Sequence, residues 1–501
     1  MKQQGDAYQK SNVLALKSKH QRSAALKKNA LVILILLLTG IAAGLLGSVK
    51  PIYAAGIPLI LSCTAIAIIC ILYAEAGLYI IMFYSFFISH FNRLLLNDSL
   101  SIGIYSDLLI IVTVLGFIVR RYDLKTSINT FVKTPVVPIF LLFYLYTTIE
   151  VFNPAGFSLQ GALPAFRKIA ATISLLFIAF NVLNSYAAVN RFITVLLIFS
   201  SLTAIYTCIQ EWHGFFDFEL EWLRADERRY RMTFVNGGAR RISTFPDAPS
   251  LAVAMTVCCI FFLGSSTGLR NKGKRYLFLI VALLCFLAIA YSLTRTANVM
   301  LVAGFGFFIL ITLNRKISRI IAGIGLAAFL FIMYAPVYNN NQINQFRNTF
   351  KGGTKDPSYL VREMNRKAIR PYMYRHPFGG GLNTTGDEAH IYHPGHPLAG
   401  FPPDSGFMKK ALELGWVGFA LALFLYFTIL KTGIRGYFAV KRREHKIIIA
   451  AATAGIFSQY VGEIAQVALG QITDIVIYYP FIAMMLKLQN MDQPVNTEYE
   501  Q

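Results

Sequence analysis

Apolar positions dominate long stretches of this chain, and polar residues gather in the short connections between them. Apolar runs lie near 29–49, 51–73, 76–90, 104–119, 135–152, 169–187, 192–210, 248–264, 276–293, 296–313, 318–336, 413–430, 447–469 and 472–487. A helix that crosses a bilayer needs about 20 consecutive apolar residues. These fourteen runs, of which 76–90, 104–119 and 472–487 are short, predict an all-α, polytopic integral membrane helix bundle of 12 to 14 transmembrane helices. The polar stretches set its divisions: a cytoplasmic basic tail over 1–28, a transmembrane bundle over 29–336 with an outer loop at 211–247, and a large extracytoplasmic loop over 337–412. C-terminal transmembrane helices over 413–487 and a cytoplasmic tail over 488–501 complete it.

Composition agrees with that pattern. Of 501 residues, 55% are hydrophobic and only 14% charged, where a soluble protein carries about 25% charged residues. A secreted disulfide scaffold, a disordered chain and an ordinary cytosolic enzyme are thereby excluded. The six cysteines all lie inside apolar runs, without the paired loop spacing of a disulfide framework or a zinc ribbon. The formal charge is +22, yet the basic residues sit between hydrophobic segments and not on one soluble face, which argues against a nucleic-acid partner.

The basic residues also orient the bundle, because short cytoplasmic loops are enriched in Lys and Arg. With both termini inside, the cytoplasmic segments hold 26 of the 47 basic residues, and the short outer connections hold five: Lys50, Arg93, Arg167, Lys168 and Arg295. The basic tail runs into a long apolar segment without a small-residue cleavage site, so it reads as an uncleaved anchor. The two long outer segments carry the other 16, six in 211–247 and ten in 337–412. Long translocated loops escape the charge rule. An anionic ligand at the outer face would explain this excess, and so would pairing with local acids such as Glu211, Asp226, Glu227 and Glu363. No internal or inverted repeat is visible, which counts against an alternating-access transporter.

Three constellations could carry chemistry. The first is Gly237-Gly238-Ala239-Arg240-Arg241-Ile242-Ser243-Thr244-Phe245-Pro246-Asp247-Ala248-Pro249-Ser250, which runs straight into an apolar span. Pro249 suits a first helical turn, so the arginine pair stands just before a helix N-terminus whose free N–H groups favour anions. Snorkelling structural arginines are the competing reading. The second is Ser292-Leu293-Thr294-Arg295-Thr296, an arginine between two apolar runs with almost nothing separating them. Arginine in lipid costs at least about 2.5–3.5 kcal/mol on insertion scales, so it should face a polar cavity or a partner such as Glu150. A guanidinium fork is well shaped for phosphate.

The third is the outer loop from Asp356, Tyr359 and Arg362 through Arg375-His376-Pro377-Phe378-Gly379-Gly380-Gly381-Leu382, then His390, His393 and His396, to Pro402-Pro403-Asp404-Ser405-Gly406-Phe407 and Glu413-Leu414-Gly415-Trp416-Val417-Gly418. The glycine run lacks a following Lys-Ser/Thr and is not a P-loop. Pro394 and Pro397 break any helix that would align the three histidines on a metal, so no metal site is expected. Asp404 is the sole carboxylate between Glu388 and Glu413. It is a candidate base or orienting group, or else simply the cap of the following helix. His376 and His396 are the alternatives for the same proton.

Arg241 in an R-x-S-T-F…P context, Thr294-Arg295 at the outer end of another span, and a late outer loop with H-P-x-G-G-G and E-L-G-x-x-G resemble the O-antigen ligase and O-antigen polymerase superfamily over roughly residues 160 to 485. The resemblance implies a bacterial inner-membrane enzyme of the C-type glycosyltransferase class, metal-independent, cofactor-free and inverting, with an undecaprenyl-diphosphate-linked glycan as donor. By position, Arg241 and Arg295 match the two family arginines, and Arg362 and His376 match the loop's R…H-P-x-x-G pattern. Arg241 and Arg295 are the expected pyrophosphate contacts, with Arg167, Lys168, Arg240 and Arg362 expected as secondary ones. Where many relatives carry His-Asn or Asp-Asn before the E-x-G-x-x-G helix, this chain has Asp404-Ser405. The expected activity is a polysaccharide polymerase. The alternatives are a ligase acting on lipid A core or protein and, from another class, a lipid-linked oligosaccharide flippase. Partners implied are the lipid-linked donor, a glycan or lipid acceptor, the bilayer, and chain-length-regulating or export proteins.

Overall fold

The computed structural model describes residues 51–492 except 97, 99–101, 121–123, 157, 236–237, 337–339, 352–356 and 471, and gives the backbone alone for 51–61, 102 and 357–359. The expected tail 1–28, the run 29–49, the end of the tail 488–501, Asp356 and the Tyr359 side chain lie outside the described residues. The chain divides into two units, residues 1–69 and 70–501. The described part of the first belongs to the helix Pro51–Leu72.

Each apolar run expected between residues 51 and 487 falls largely on a helix, although the run 447–469 outlasts Arg443–Gly462 and the run 169–187 is broken after Val182. Among the described residues nine helices are long and apolar enough to cross a membrane, ten if one sharply bent pair is counted as a span. That pair, Leu124–Val132 and Val137–Glu150, bends by 92°. The break falls at Thr134-Pro135, where the proline ring disfavours helical backbone in the residue before it. The helix Arg295–Ile311 is a shorter apolar one of 17 residues.

At the centre stand Ala248–Ser266, Arg443–Gly462 and Ile472–Met491. Residues 251–262 of the first and 447–456 of the second are buried without a break, so every face of these turns is covered, as befits helices enclosed by other helices. Small residues let these backbones approach: a Cβ on Gly304 of Arg295–Ile311 would meet Ile260 Cδ1 at 2.3 Å.

The described parts of both long polar segments contain regular structure. Residues 211–247 form Asp217–Arg224, Glu227–Thr233 and a two-stranded antiparallel hairpin in which Phe234 faces Ala239. The guanidinium groups of Arg93 and Arg229 lie over the Trp222 ring, 5.0 and 3.9 Å from its centroid, and the buried Glu219 accepts from Tyr206 and Gln210. These contacts fasten the segment to the bundle. The later segment contains Asn341–Lys351, Pro357–Arg375 and Ala389–Tyr392. The following helix, Gly406–Ala439, begins ahead of the apolar run at 413 because Ser405 caps it, its Oγ accepting from Met408 N at 3.0 Å.

Candidate active site

The helix Lys272–Tyr291 ends and Arg295–Ile311 begins with three residues between them. Leu293 makes this turn with φ of 48°, a left-handed conformation that costs a non-glycine residue free energy and recurs at functional sites. The turn is held from two sides. Arg240 donates from Nη2 to Thr294 Oγ1 at 2.9 Å and from Nε to the Ser292 carbonyl at 3.2 Å. Gln345 Nε2 donates to the Leu293 carbonyl at 3.1 Å.

The two neighbouring arginines separate here. Arg241 turns away to an ion pair with Glu211 at 2.7 Å and lies over the Phe215 ring at 5.1 Å. Arg240 stays with Thr294, next to Arg295. Burial lowers the Arg240 pKa from its ordinary value, with Asp247 opposing; a guanidinium starts high enough to remain cationic at neutral pH.

Arg240, Arg295, Arg362 and Asp404 line one cavity of about 840 Å³. It lies at the end of the bundle where Ala248–Ser266, Arg295–Ile311 and Gly406–Ala439 begin, since Pro249, Thr296 and Pro403 are also in its wall. Helix N-termini carry partial positive charge, and three guanidinium groups face one carboxylate among the lining residues, so the cavity favours an anion. Asp404 Oδ2 accepts from Asn365 Nδ2 at 2.7 Å. Because Ser405 does the capping, the Asp404 carboxylate is held by a side chain in the cavity lining instead of being spent on helix N–H groups. The lining is also amide-rich: Asn341, Asn344, Gln345 and Asn348 come from one helix, and Gln466 from the loop after Arg443–Gly462.

The lip of the cavity is tied together by a buried ion pair. Lys410 Nζ meets Glu463 Oε2, and Glu463 Oε1 accepts from Leu469 N at 2.9 Å. Gly406 N donates to the Gln466 carbonyl at 3.2 Å. The helix that follows Asp404 is thereby fastened to the loop that carries Gln466.

The other expected residues lie elsewhere. Arg167 pairs with Asp107 at 2.7 Å. Lys168 is exposed and has Lys409, Glu388, Glu413 and Asp107 as its electrostatic neighbours. His376 stacks on Tyr372, centroids 4.0 Å apart, with Nδ1 3.0 Å from the Tyr372 carbonyl. His396 approaches the same ring edge-on at 6.4 Å and accepts from Leu398 N at 3.2 Å. Glu150, offered as an alternative partner for Arg295, accepts from Asn153 at 2.7 Å. Among the described residues no three His, Cys, Asp or Glu side chains are grouped closely enough to hold a metal ion.

The glycine-rich motifs have a backbone role. Gly380 N donates to the Leu412 carbonyl at 2.7 Å, Gly381 N to the Glu413 carbonyl at 3.1 Å, and Trp416 N to the Pro377 carbonyl at 2.8 Å. The H-P-F-G-G-G segment thus docks into a break in Gly406–Ala439 at Gly415, whose φ and ψ are 66° and −169°.

Fold and cavity define a multi-pass helical membrane protein with an anion-attracting hollow at one end of its bundle. Residues 280–423 match the family model described as O-antigen ligase, a segment that contains Arg295, Arg362, His376, His396 and Asp404 and lies within the longer stretch whose motifs suggested the resemblance. That match implies a glycan-transferring membrane enzyme of the O-antigen ligase and polymerase type, acting on lipid-linked glycans. No curated protein matches the chain.

Asn365 and the amide wall were not singled out from the sequence. The amides carried a signal: in Asn341–Lys351 they fall at i, i+3, i+4 and i+7, one face of a helix, while Phe346 and Phe350 pack on Phe329.

Proposed function

We propose that this protein is a polysaccharide polymerase at the outer face of the bacterial inner membrane, with both termini in the cytoplasm. It transfers a glycan from a polyprenyl diphosphate to a hydroxyl of another lipid-linked repeat unit. The observation that carries the reading is the gathering of Arg240, Arg295 and Arg362 around one cavity with Asp404 in its wall.

The chemistry follows from those groups. The donor diphosphate lies against the guanidinium forks. Asp404 takes the proton of the acceptor hydroxyl through the oxygen that Asn365 leaves available. The hydroxyl oxygen bonds to the anomeric carbon as the bond from that carbon to the phosphate oxygen breaks, and the lipid diphosphate departs with the electron pair. Attack from the face opposite the leaving group inverts the anomeric centre. Preorganised cations at the developing charge lower the barrier without reorganising during reaction. Arg241 has a supporting role in this scheme, as the partner of Glu211, and Arg240 takes the phosphate.

Transfer to lipid A core or to protein, a ligase activity, is the second reading, favoured by the description of the matching family. A flippase would need cations along the middle of its spans, whereas Arg295 begins its helix and Arg240 and Arg362 lie outside the candidate spans. The glycan profile of a strain lacking the protein tests the choice. Single repeats accumulating on the lipid carrier support the polymerase; full-length unattached polymer overturns it in favour of the ligase.

A further inference from the structure

We propose that the amide-bearing face of Asn341–Lys351 is a carbohydrate subsite, which holds uncharged sugar rings of the glycan substrate by their hydroxyls while the arginines hold the diphosphate. The inference rests on the reading of the cavity as the place of glycan transfer and adds which residues select the sugar.

Asn341, Asn344, Gln345 and Asn348 all line the cavity. Their spacing puts them on one face of the helix, and from Asn341 to Asn348 that face is about 10 Å long at a rise of about 1.5 Å per residue, room for a disaccharide. Charge is kept off it. The two cations of the same helix turn to the end of the preceding one: Arg347 Nε donates to the Ile332 carbonyl at 2.7 Å, and Lys351 Nζ to the Met333 carbonyl at 3.5 Å. The helix is also fixed in place. Gln342 donates to Glu211 Oε1 at 2.9 Å, Thr349 Oγ1 accepts from Asn298 at 3.2 Å, and Phe346 and Phe350 pack on Phe329. The side-chain amides of Asn341, Asn348 and Gln466, all in the cavity lining, make no hydrogen bond to another described residue.

These groups match a sugar and not a phosphate. Each amide offers two N–H donors and a carbonyl acceptor without net charge. A diphosphate oxygen only accepts, so it would satisfy the N–H groups and leave the amide oxygens without a donor. A sugar hydroxyl both donates and accepts, and two neighbouring hydroxyls use the donor and the acceptor of one amide together. The diphosphate has the guanidinium groups of Arg240, Arg295 and Arg362 in the same lining. Met232, Val235 and Leu293, also in the lining, offer apolar surface to the C–H face of a ring. A face held rigid before the ligand arrives loses little freedom on binding, so its fixed amide spacing discriminates among hydroxyl positions on the repeat unit.

The test uses the full chain in nanodiscs and two probes: inorganic pyrophosphate by calorimetry, and, by saturation-transfer NMR, a repeat-unit oligosaccharide cut from the polysaccharide of the producing strain, which brings no diphosphate. Asn341 and Asn348 are exposed, so Asn341→Ala combined with Asn348→Ala leaves the fold's own hydrogen bonds intact. The double variant should bind the oligosaccharide about tenfold more weakly, or about 1.4 kcal/mol. KM for the lipid-linked substrate should rise by a similar factor at nearly unchanged kcat, and pyrophosphate should bind as before. Glutamine at both positions keeps the amides and should recover most of the oligosaccharide binding. Oligosaccharide binding that survives the double alanine variant overturns the sugar face alone. So does pyrophosphate binding to the unaltered protein without oligosaccharide binding, or an equal loss of both probes in the variant, which would show that the helix only shapes the cavity. Binding of neither probe to the unaltered protein overturns the cavity reading and this inference together.

Discussion

Arg240 donates to Thr294 Oγ1 at 2.9 Å across 54 positions of sequence, which fixes a loop cation beside the first residue of the helix that starts with Arg295. Two guanidinium groups from separate elements thus reach the same cavity. Arg240→Ala and Arg295→Ala should each lower kcat/KM for glycan transfer by about 10²–10³, the usual cost of removing one preorganised donor to a developing anion. Lysine at either place keeps the charge and loses the fork, so Arg295→Lys should also shorten the glycan. Unchanged chain length in membranes at equal protein level would defeat the diphosphate role. Arg241→Ala, by contrast, breaks an ion pair outside the cavity and should act mainly on thermal stability.

Asp404 and Ser405 are adjacent, yet they have separable tasks. Ser405→Ala removes a helix cap and should cost about 1 kcal/mol of stability with little change in turnover per folded molecule. Asp404→Asn keeps the shape and removes the proton acceptor, so kcat should fall by about 10²-fold or more. Asn365→Ala should reduce kcat by a smaller factor at similar KM and change the pH profile of the rate, because the carboxylate loses the group that orients it. Full turnover by Asp404→Asn would remove this residue from catalysis.

The helices were legible because apolar runs of membrane length need no partner to be recognised, although nine or ten of them among the described residues, against the 12 to 14 expected, are long and apolar enough to cross a membrane. Which arginine faces the cavity was not legible. Arg240 and Arg241 are consecutive in a non-helical stretch, and the choice depends on Glu211, thirty positions upstream, drawing Arg241 away. Asp404 was visible as an isolated carboxylate, but whether it caps a helix or faces a hollow depended on Ser405 competing for the same N–H groups. The amide spacing in Asn341–Lys351 was present in a segment read as loop. The triple glycine could be denied a phosphate-loop role from sequence. Its actual use needs a facing break in another helix, and periodicity does not report such a break.

That break gives a stability prediction. Gly415 sits at φ 66° and ψ −169°, a region essentially reserved for glycine, and a Cβ there would meet the Pro377 carbonyl oxygen at 2.2 Å. Gly415→Ala should therefore destabilise by about 3 kcal/mol or more from backbone strain plus displacement of the docked segment. Gly306, inside Arg295–Ile311, is the control: a Cβ added there would have nothing within 4 Å. Alanine at that position should be neutral or stabilise by up to about 1 kcal/mol. In the same detergent the melting midpoint of Gly415→Ala should fall well below that of the unaltered protein while that of Gly306→Ala stays level or rises, and equal midpoints would show that the Gly379–Gly415 contact does not hold the loop.

The buried His393 and the half-buried His396 should make stability depend on pH. His393 is 7% exposed, its Nε2 lies without a hydrogen-bond partner, and Gly161 is packed against it. Burial lowers its pKa, and that of His396, from the ordinary value of 6.5, against a weaker opposing pull on His393 from the Leu382 backbone and Glu413. The folded state thus holds these imidazoles neutral over a range in which the unfolded chain binds protons. Their contribution to stability is complete above the unfolded pKa of about 6.5 and is lost as the pH falls below it, since the unfolded state then takes up more protons. His393→Gln removes one titrating group and should lose less melting temperature than the unaltered protein between about pH 7.5 and about pH 5.5. Parallel losses in the two proteins would show that His393 is not held neutral by the fold.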